Sequence, residues 1–289
     1  MYNELHIKPA LISKIVNQVI TKIFPVFIKK IIPEERPIIH EQFRNYPEAV
    51  GAVDSTTIRY NTPADRESQK KSWDGKNHVN GAKVQCLVAP NGQCIHCKAI
   101  DGASIHDKKL FDILKIHEFL TVQRGKATKI LPIIADRGYL GIEEYIKDAV
   151  VMKKGDDKET VATNAYIASD CVIVENFFAR LKSTFTILDS GSRIPREKVP
   201  TMAEGLVALT NFLISRHPLR QNQNDDKITI STEQIVKNVQ PINDSEENKE
   251  FRGKLIYPNN ESKLSNPGCA CHAIALIQLL YHEKKFMIQ

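Results

Sequence analysis

The sequence predicts an α/β protein: a mixed sheet flanked by helices, with a helical N-terminal segment and a poorly defined C-terminal tail. Three observations predict it. Short runs rich in β-branched residues fall between residues 52 and 137, and stripes of helical period lie before and after them. A composition that is 42% hydrophobic over 289 residues supports a core of the size one α/β domain needs, with room for a second small unit. The expected organisation is a helical segment at 1–48, a sheet-containing domain at 49–220 and a linker with a C-terminal tail at 221–289.

Leu11, Ile15, Val19, Ile23 and Phe27 recur every four residues, which predicts an amphipathic helix interrupted near Pro25. Pro33, Pro37 and Pro47 then lead into AVDSTTIRY, whose Val, Thr, Ile and Tyr content is that of a strand. KVQCLVA and QCIHCKAI, separated by Pro90, Asn91 and Gly92, read as a hairpin. Asp107 to Leu120 is expected to be a helix burying Leu110, Phe111 and Leu114, with Phe119 beside them. KILPIIADR is a continuous apolar run ending in charge, consistent with a buried strand whose C-terminal end opens onto a site.

After a Lys, Asp and Gly rich break at 153–159, Val174, Phe177, Phe178, Leu181, Phe185 and Leu188 trace one helical stripe. A further apolar helix is expected over 201–216. From 221 the composition turns polar, as in a linker, before a last apolar piece at 272–282. The order strand, strand, strand, helix, strand, helix, helix is that of a ribonuclease H-like fold: an antiparallel meander joined by parallel strands through helical crossovers.

The net charge is +6, and residues 1–221 carry 32 Lys or Arg against 25 Asp or Glu. That surplus suits a phosphate-backbone partner. The most apolar N-terminal stretch is broken by Lys22 and Pro25, so no membrane span is expected, and the N-terminus lacks the order of a signal peptide. These features lead to the expectation of a soluble intracellular protein with six free thiols at Cys86, Cys94, Cys97, Cys171, Cys269 and Cys271. Zinc at Cys94 and Cys97 is disfavoured, because positions three apart on a strand face opposite sides of the sheet.

Asp54 and Asp136 lie in apolar strand-like segments, where an acid costs several kcal/mol unless it is paired or bound to a cation. Glu175 lies on a helix. Three converging acids are a minimal site for two hard divalent ions, which clamp the attacking and leaving oxygens when a phosphodiester is cut. Each has a plainer reading too: Asp136 beside Gly138 as a turn former, Glu175 as a solvated helix residue. Their order and spacing, 82 residues and then 39, set them apart.

The motifs GAVDSTTI with Pro63, SWDGKNHVNGAKVQ, GASIHDKKLF, ADRGYLG and VENFFARLK, in that order, resemble the DDE superfamily endonucleases. That family includes the catalytic domain of Harbinger/PIF-type transposases and related bacterial insertion-sequence enzymes. The likeness runs from about residue 10 to 220. It implies a DNA endonuclease or transposase with a triad of Asp54, Asp136 and Glu175 holding Mg2+ or Mn2+, and with Lys182 on the substrate phosphate. His106 and Asp107 are accessory candidates near the metals, with capping of the helix that Asp107 opens as the alternative.

The resemblance implies DNA as partner, reached through a separate DNA-binding protein or a missing upstream domain, with homo-oligomerisation open. Localisation would be nuclear in a eukaryote and otherwise cytoplasmic. Cys171 and Ala168 stand where relatives carry Arg and, in many bacterial members, Tyr. A catalytically decayed or domesticated protein that binds DNA or protein therefore remains the alternative. NPGCACHAIALIQLL at 266–280 resembles instead the cysteine box of ubiquitin-specific proteases, with Asn266, Gly268, Cys271 and Gln278 at matching positions. It is expected to be a fused or truncated fragment.

Overall fold

A computed structural model describes residues 9–219, apart from 33, 36, 38, 125, 126 and 191–193. Expectations about the linker, the 272–282 segment, Cys269, Cys271 and the protease-like fragment lie outside the described residues. Contacts divide the chain into one unit at Ile15–Leu219 and a second made of Met1–Lys14 and Arg220–Gln289. The second is described only over its short 9–14 stretch, the start of a helix.

The N-terminal helix runs as α1 (Pro9–Gln18), a π-helical turn (Val19–Ile23) and α2 (Phe24–Ile31). The expected interruption near Pro25 takes the form of this π turn, which breaks the α-helical ladder just before the proline without ending the helix. Proline falls in the first turn of α2, where its missing N–H costs nothing, and the π turn upstream absorbs the mismatch. As a result the helix Ala10–Ile31 is long and apolar enough by length and composition to cross a membrane, which corrects the expectation drawn from Lys22 and Pro25. Within the second half of that helix Phe24 is buried, and its ring lies on Gly205.

The sheet is built from β1 (Ala52–Arg59), β2 (Trp73–Asp74), β3 (Val79–Val88), β4 (Cys94–Asp101), β7 (Ile134–Ala135) and β8 (Val150–Val151), with β5 (Thr121–Arg124) and β6 (Ala127–Ile130) forming a separate hairpin. β1 and β4 flank β3 antiparallel, and β7 and β8 continue from β1 in parallel. A mixed sheet of this kind, flanked by helices, is the architecture expected. KILPIIADR is not one strand, because Pro132 divides it: Ile130 ends β6 and only Ile134 and Ala135 enter the sheet.

The helices are α3 (Arg66–Ser72), α4 (Asp107–Leu114), α5 (Ile116–Phe119), α6 (Lys158–Thr184) and α7 (Val199–Arg216). The single helix expected over 107–120 is split at Lys115, which adopts a left-handed conformation (φ 53°). Register sorts the two sheet faces. Val53, Leu87 and Ala135 point into a core completed by Phe111, Ile116 and Tyr139 from α4, α5 and the turn after β7. Side chains one position along face α6 and α7, which pack on β1, β3 and β4.

Two side chains of α7 close the outer edge of β4. Asn211 accepts from Cys94 N (2.8 Å) and donates to Cys94 O (2.6 Å), while Glu204 accepts from Ala99 N (2.8 Å). A bulge between Leu87 and Val88 pairs Val88 with Cys94 and Cys86 with Cys97. The extra residue shifts the alternation, so Cys94 and Cys97 both approach Cys86 rather than facing opposite ways, and the geometric argument against a shared site at those thiols fails. Cys86, Cys94, Cys97 and Cys171 are free and buried.

Candidate active site

Parallel pairing matches Val53 with Ala135, so the next residues, Asp54 and Asp136, leave the ends of this short pairing side by side on strands about 4.8 Å apart. The Asp136 carboxylate caps its own turn by accepting from Gly138 N (2.9 Å), and Asp54 accepts from Ser55 N (2.7 Å). Gly138 is required here: a Cβ would lie 2.7 Å from Asp107 Oδ2 and 3.1 Å from Asp136 Oδ1. Asp107 therefore belongs to the same cluster.

Asp107 does not act as the helix cap that a first-turn acid suggests. His106 holds the N-cap position with no side-chain cap bond and is exposed. The Asp107 carboxylate instead accepts from Ser55 Oγ (2.5 Å) and pairs with Lys83 Nζ (2.8 Å), whose side chain is only 12% exposed and which also donates to Ile105 O (2.7 Å). Ser55 points toward Asp107 because it lies one residue along from Asp54, on the other sheet face.

Burial pushes the Asp54 carboxyl up to about 7. The Ser55 N–H pulls it down, the charges of Asp136 and Asp107 raise it further, and Lys76 lowers it. Asp136 is also raised, by burial first and then by Asp107 against the pull of Gly138 N–H, Lys76 and Lys83. The hydroxyl of fully buried Tyr139, which accepts from Gln85 Nε2 (3.0 Å), is pushed well up by burial and by Asp54, Asp107 and Asp136.

Glu175 is exposed on α6, one turn beyond Cys171. Burial raises the Cys171 thiol strongly, and Asp54, Asp136 and Glu175 all add to that rise, so this cysteine is within electrostatic range of the strand acids and of the helix acid. Lys182, two turns beyond Glu175, lies 3.9 Å from Asp189. Ala168 is exposed. The structure thus groups Asp54, Asp136 and Asp107, and relates Glu175 to them through Cys171.

Sequence reasoning assigned no role to Lys76 and Lys83. Both lie within SWDGKNHVNGAKVQ, so the signal was present as two lysines preceding and entering a strand. The turn carrying Lys76 is fixed by Asp74, which accepts from Thr57 Oγ1, from Lys76 N (2.9 Å) and from Asn77 N (3.1 Å) and Nδ2 (2.8 Å).

The all-oxygen donor chemistry of the cluster, with two carboxyls held up by burial and like charge, fits a hard divalent cation. Among the described residues no group of three or more His, Cys, Asp or Glu is arranged to hold a metal as it stands. Asp107 is engaged by Lys83 and Ser55, and Glu175 is turned to solvent.

A family model of the DDE superfamily endonucleases matches residues 53–211, which is more than half of the chain. The chain belongs to this family. The matched DDE region starts one residue before Asp54 and ends within α7, so it takes in all three acids of the expected triad. No curated protein and no solved structure matches the chain.

Proposed function

We propose that this DDE superfamily member is a transposase-derived, metal-dependent DNA endonuclease of the Harbinger/PIF type. The observation that carries the reading is the side-by-side emergence of Asp54 and Asp136 from parallel strands, with the Asp54 carboxyl pushed up to about 7 by burial and by its acidic neighbours. A site that strains against its own charge is one suited to a cation.

Asp54, Asp136 and Glu175 would hold two Mg2+ or Mn2+ ions, which supply charge neutralisation and an activated oxygen nucleophile. The chain's own residues orient the rest: Gly138 N and Ser55 N fix the two strand carboxylates, and Lys83 and Ser55 hold Asp107 behind them. Lys76 and Lys182 carry positive charge to the rim, where substrate phosphates would sit. The partner is DNA, with recognition supplied by a separate DNA-binding protein or an upstream domain, and the site of action is the nucleus in a eukaryotic cell.

A second reading, a decayed or domesticated relative that binds without cutting, is favoured by one observation. A buried thiol, Cys171, occupies the place beside the acids where relatives carry a guanidinium. Conversion of supercoiled plasmid to the nicked form in Mg2+ or Mn2+, with Asp54→Ala as control, separates the two. Metal-dependent nicking lost in the variant supports the nuclease, and no nicking with either ion leaves the binding protein.

A further inference from the structure

The hairpin tip that delivers Lys76 also carries the chain's single tryptophan, and it is exposed. Trp73 is 43% exposed on the two-residue strand β2, although both neighbours are buried and tied down. Ser72 Oγ donates to Asn80 Oδ1 (2.7 Å), and Asp74 is held by Thr57 and the turn amides. Gly81 makes this possible, since a Cβ there would lie 2.6 Å from Thr57 Cγ2.

An indole fixed from both sides yet left uncovered is a presented surface, unlike a loose apolar side chain on a loop. His78, held at a left-handed φ of 54°, places its ring 6.0 Å away and tilted, framing one side of the indole. Nearby in the chain Lys70, Lys71 and Lys76 are exposed, as is Glu67 of the same helix, while the acid next to the indole, Asp74, is buried and fully engaged. Cations around a free aromatic face complement a polyanion that carries its own rings.

Register connects this surface to the acids. Trp73 pairs with Asn80, and alternation along β3 through Ala82 and Val84 reaches Cys86, the partner of Asp54, so the indole lies on the Asp54 face. The tip also reaches back toward the acids: Asp74, next to the indole, is bonded to Thr57, three residues along β1 from Asp54, and the charge of Lys76 acts on both Asp54 and Asp136.

We infer that Trp73 is a stacking platform for an unpaired base in the DNA strand flanking the cut phosphate, with Lys70, Lys71 and Lys76 holding the backbone beside it. The inference rests on the proposed DNA-cutting function for the identity of its partner. Stacking is indifferent to base identity, so the site selects unpaired or frayed DNA without reading sequence.

The test uses the full chain in EDTA, where binding is read without metal-dependent cleavage. Because the chain has one tryptophan, its fluorescence reports this position alone. Oligothymidylate is expected to quench the emission strongly, and a blunt duplex at equal phosphate concentration only weakly. By anisotropy of labelled DNA, Trp73→Ala should weaken single-strand affinity roughly five- to a hundredfold and leave duplex affinity unchanged. Trp73→Phe, which keeps a ring, should restore most of the loss. Equal quenching by duplex and single strand, no quenching by either, or equal loss of both affinities in Trp73→Ala overturns the inference. A chain that nicks plasmid but shows no quenching refutes the platform alone. A chain that shows selective quenching but never nicks keeps the platform and refutes the nuclease.

Discussion

Asp54→Asn is expected to make the metal-free protein more stable while abolishing any cutting. The Asp54 carboxyl rises from an ordinary value of 3.8 to about 7, with burial as the leading cause. The sign follows: a folded-state value above the unfolded one means the native state binds the extra proton between about pH 4 and 7. Stability is therefore fullest below about 4, falls as pH rises through that window and levels off above 7. Each pH unit is worth about 1.4 kcal/mol, so the interval amounts to a ceiling of roughly 4 kcal/mol, which relaxation around a partly accessible group reduces to about 1–3 kcal/mol. An amide of the same shape carries no such penalty. Urea unfolding of both proteins in EDTA at pH 5 and pH 8 measures it, with the variant gaining at pH 5 only about 40% of what it gains at pH 8. Added Mg2+ should raise the midpoint of the wild type more than that of the variant. A wild type equally stable at both pH values, or an Asp54→Asn protein no more stable at pH 8, would refute the account of a charge-strained site.

Lys83→Met should leave the partly buried Asp107 without its counter-ion, costing about 1–2 kcal/mol in urea unfolding and lowering nicking activity; an unchanged midpoint would show that Lys83 is dispensable. Gly205→Ala should drive a methyl into the Phe24 ring, 2.1 Å away, and lower thermal stability by about 1–3 kcal/mol, whereas a neutral effect would mean that α2 is free to slide on α7. Cys171→Arg should bring a guanidinium to the acids and raise nicking, or create it, without harm to the fold. An unchanged rate with intact metal binding removes this residue from the explanation.

The adjacency of Asp54 and Asp136 was legible because it follows from topology: an antiparallel meander followed by a right-handed parallel return puts those strands together whatever their length. α6 and α7 were legible from their apolar stripes. Less visible were elements too short to own a pattern. β7 contributes two residues, β2 and β8 two each, and no periodicity can be read in a pair. The break at Lys115 depends on one residue's backbone conformation. The gathering of Cys86, Cys94 and Cys97 depends on a bulge that no alternation rule anticipates. Asp107 was ambiguous for a physical reason, since an acid opening a helix has a sufficient local purpose. Only the three-dimensional approach of Ser55 and Lys83 shows that its carboxylate is spent elsewhere.

The closure of β4 by Asn211 and Glu204 bears on whether another strand could add to this sheet. An open strand edge invites another chain to add itself, and repetition of that step yields polymers. Here the amide and carbonyl of Cys94 and the amide of Ala99 are already occupied by side chains of α7. A newcomer at that edge must first displace a carboxylate and a carboxamide that are already bonded, and it finds no replacement for the contacts it breaks. The strand is thereby guarded against edge-to-edge addition at these positions.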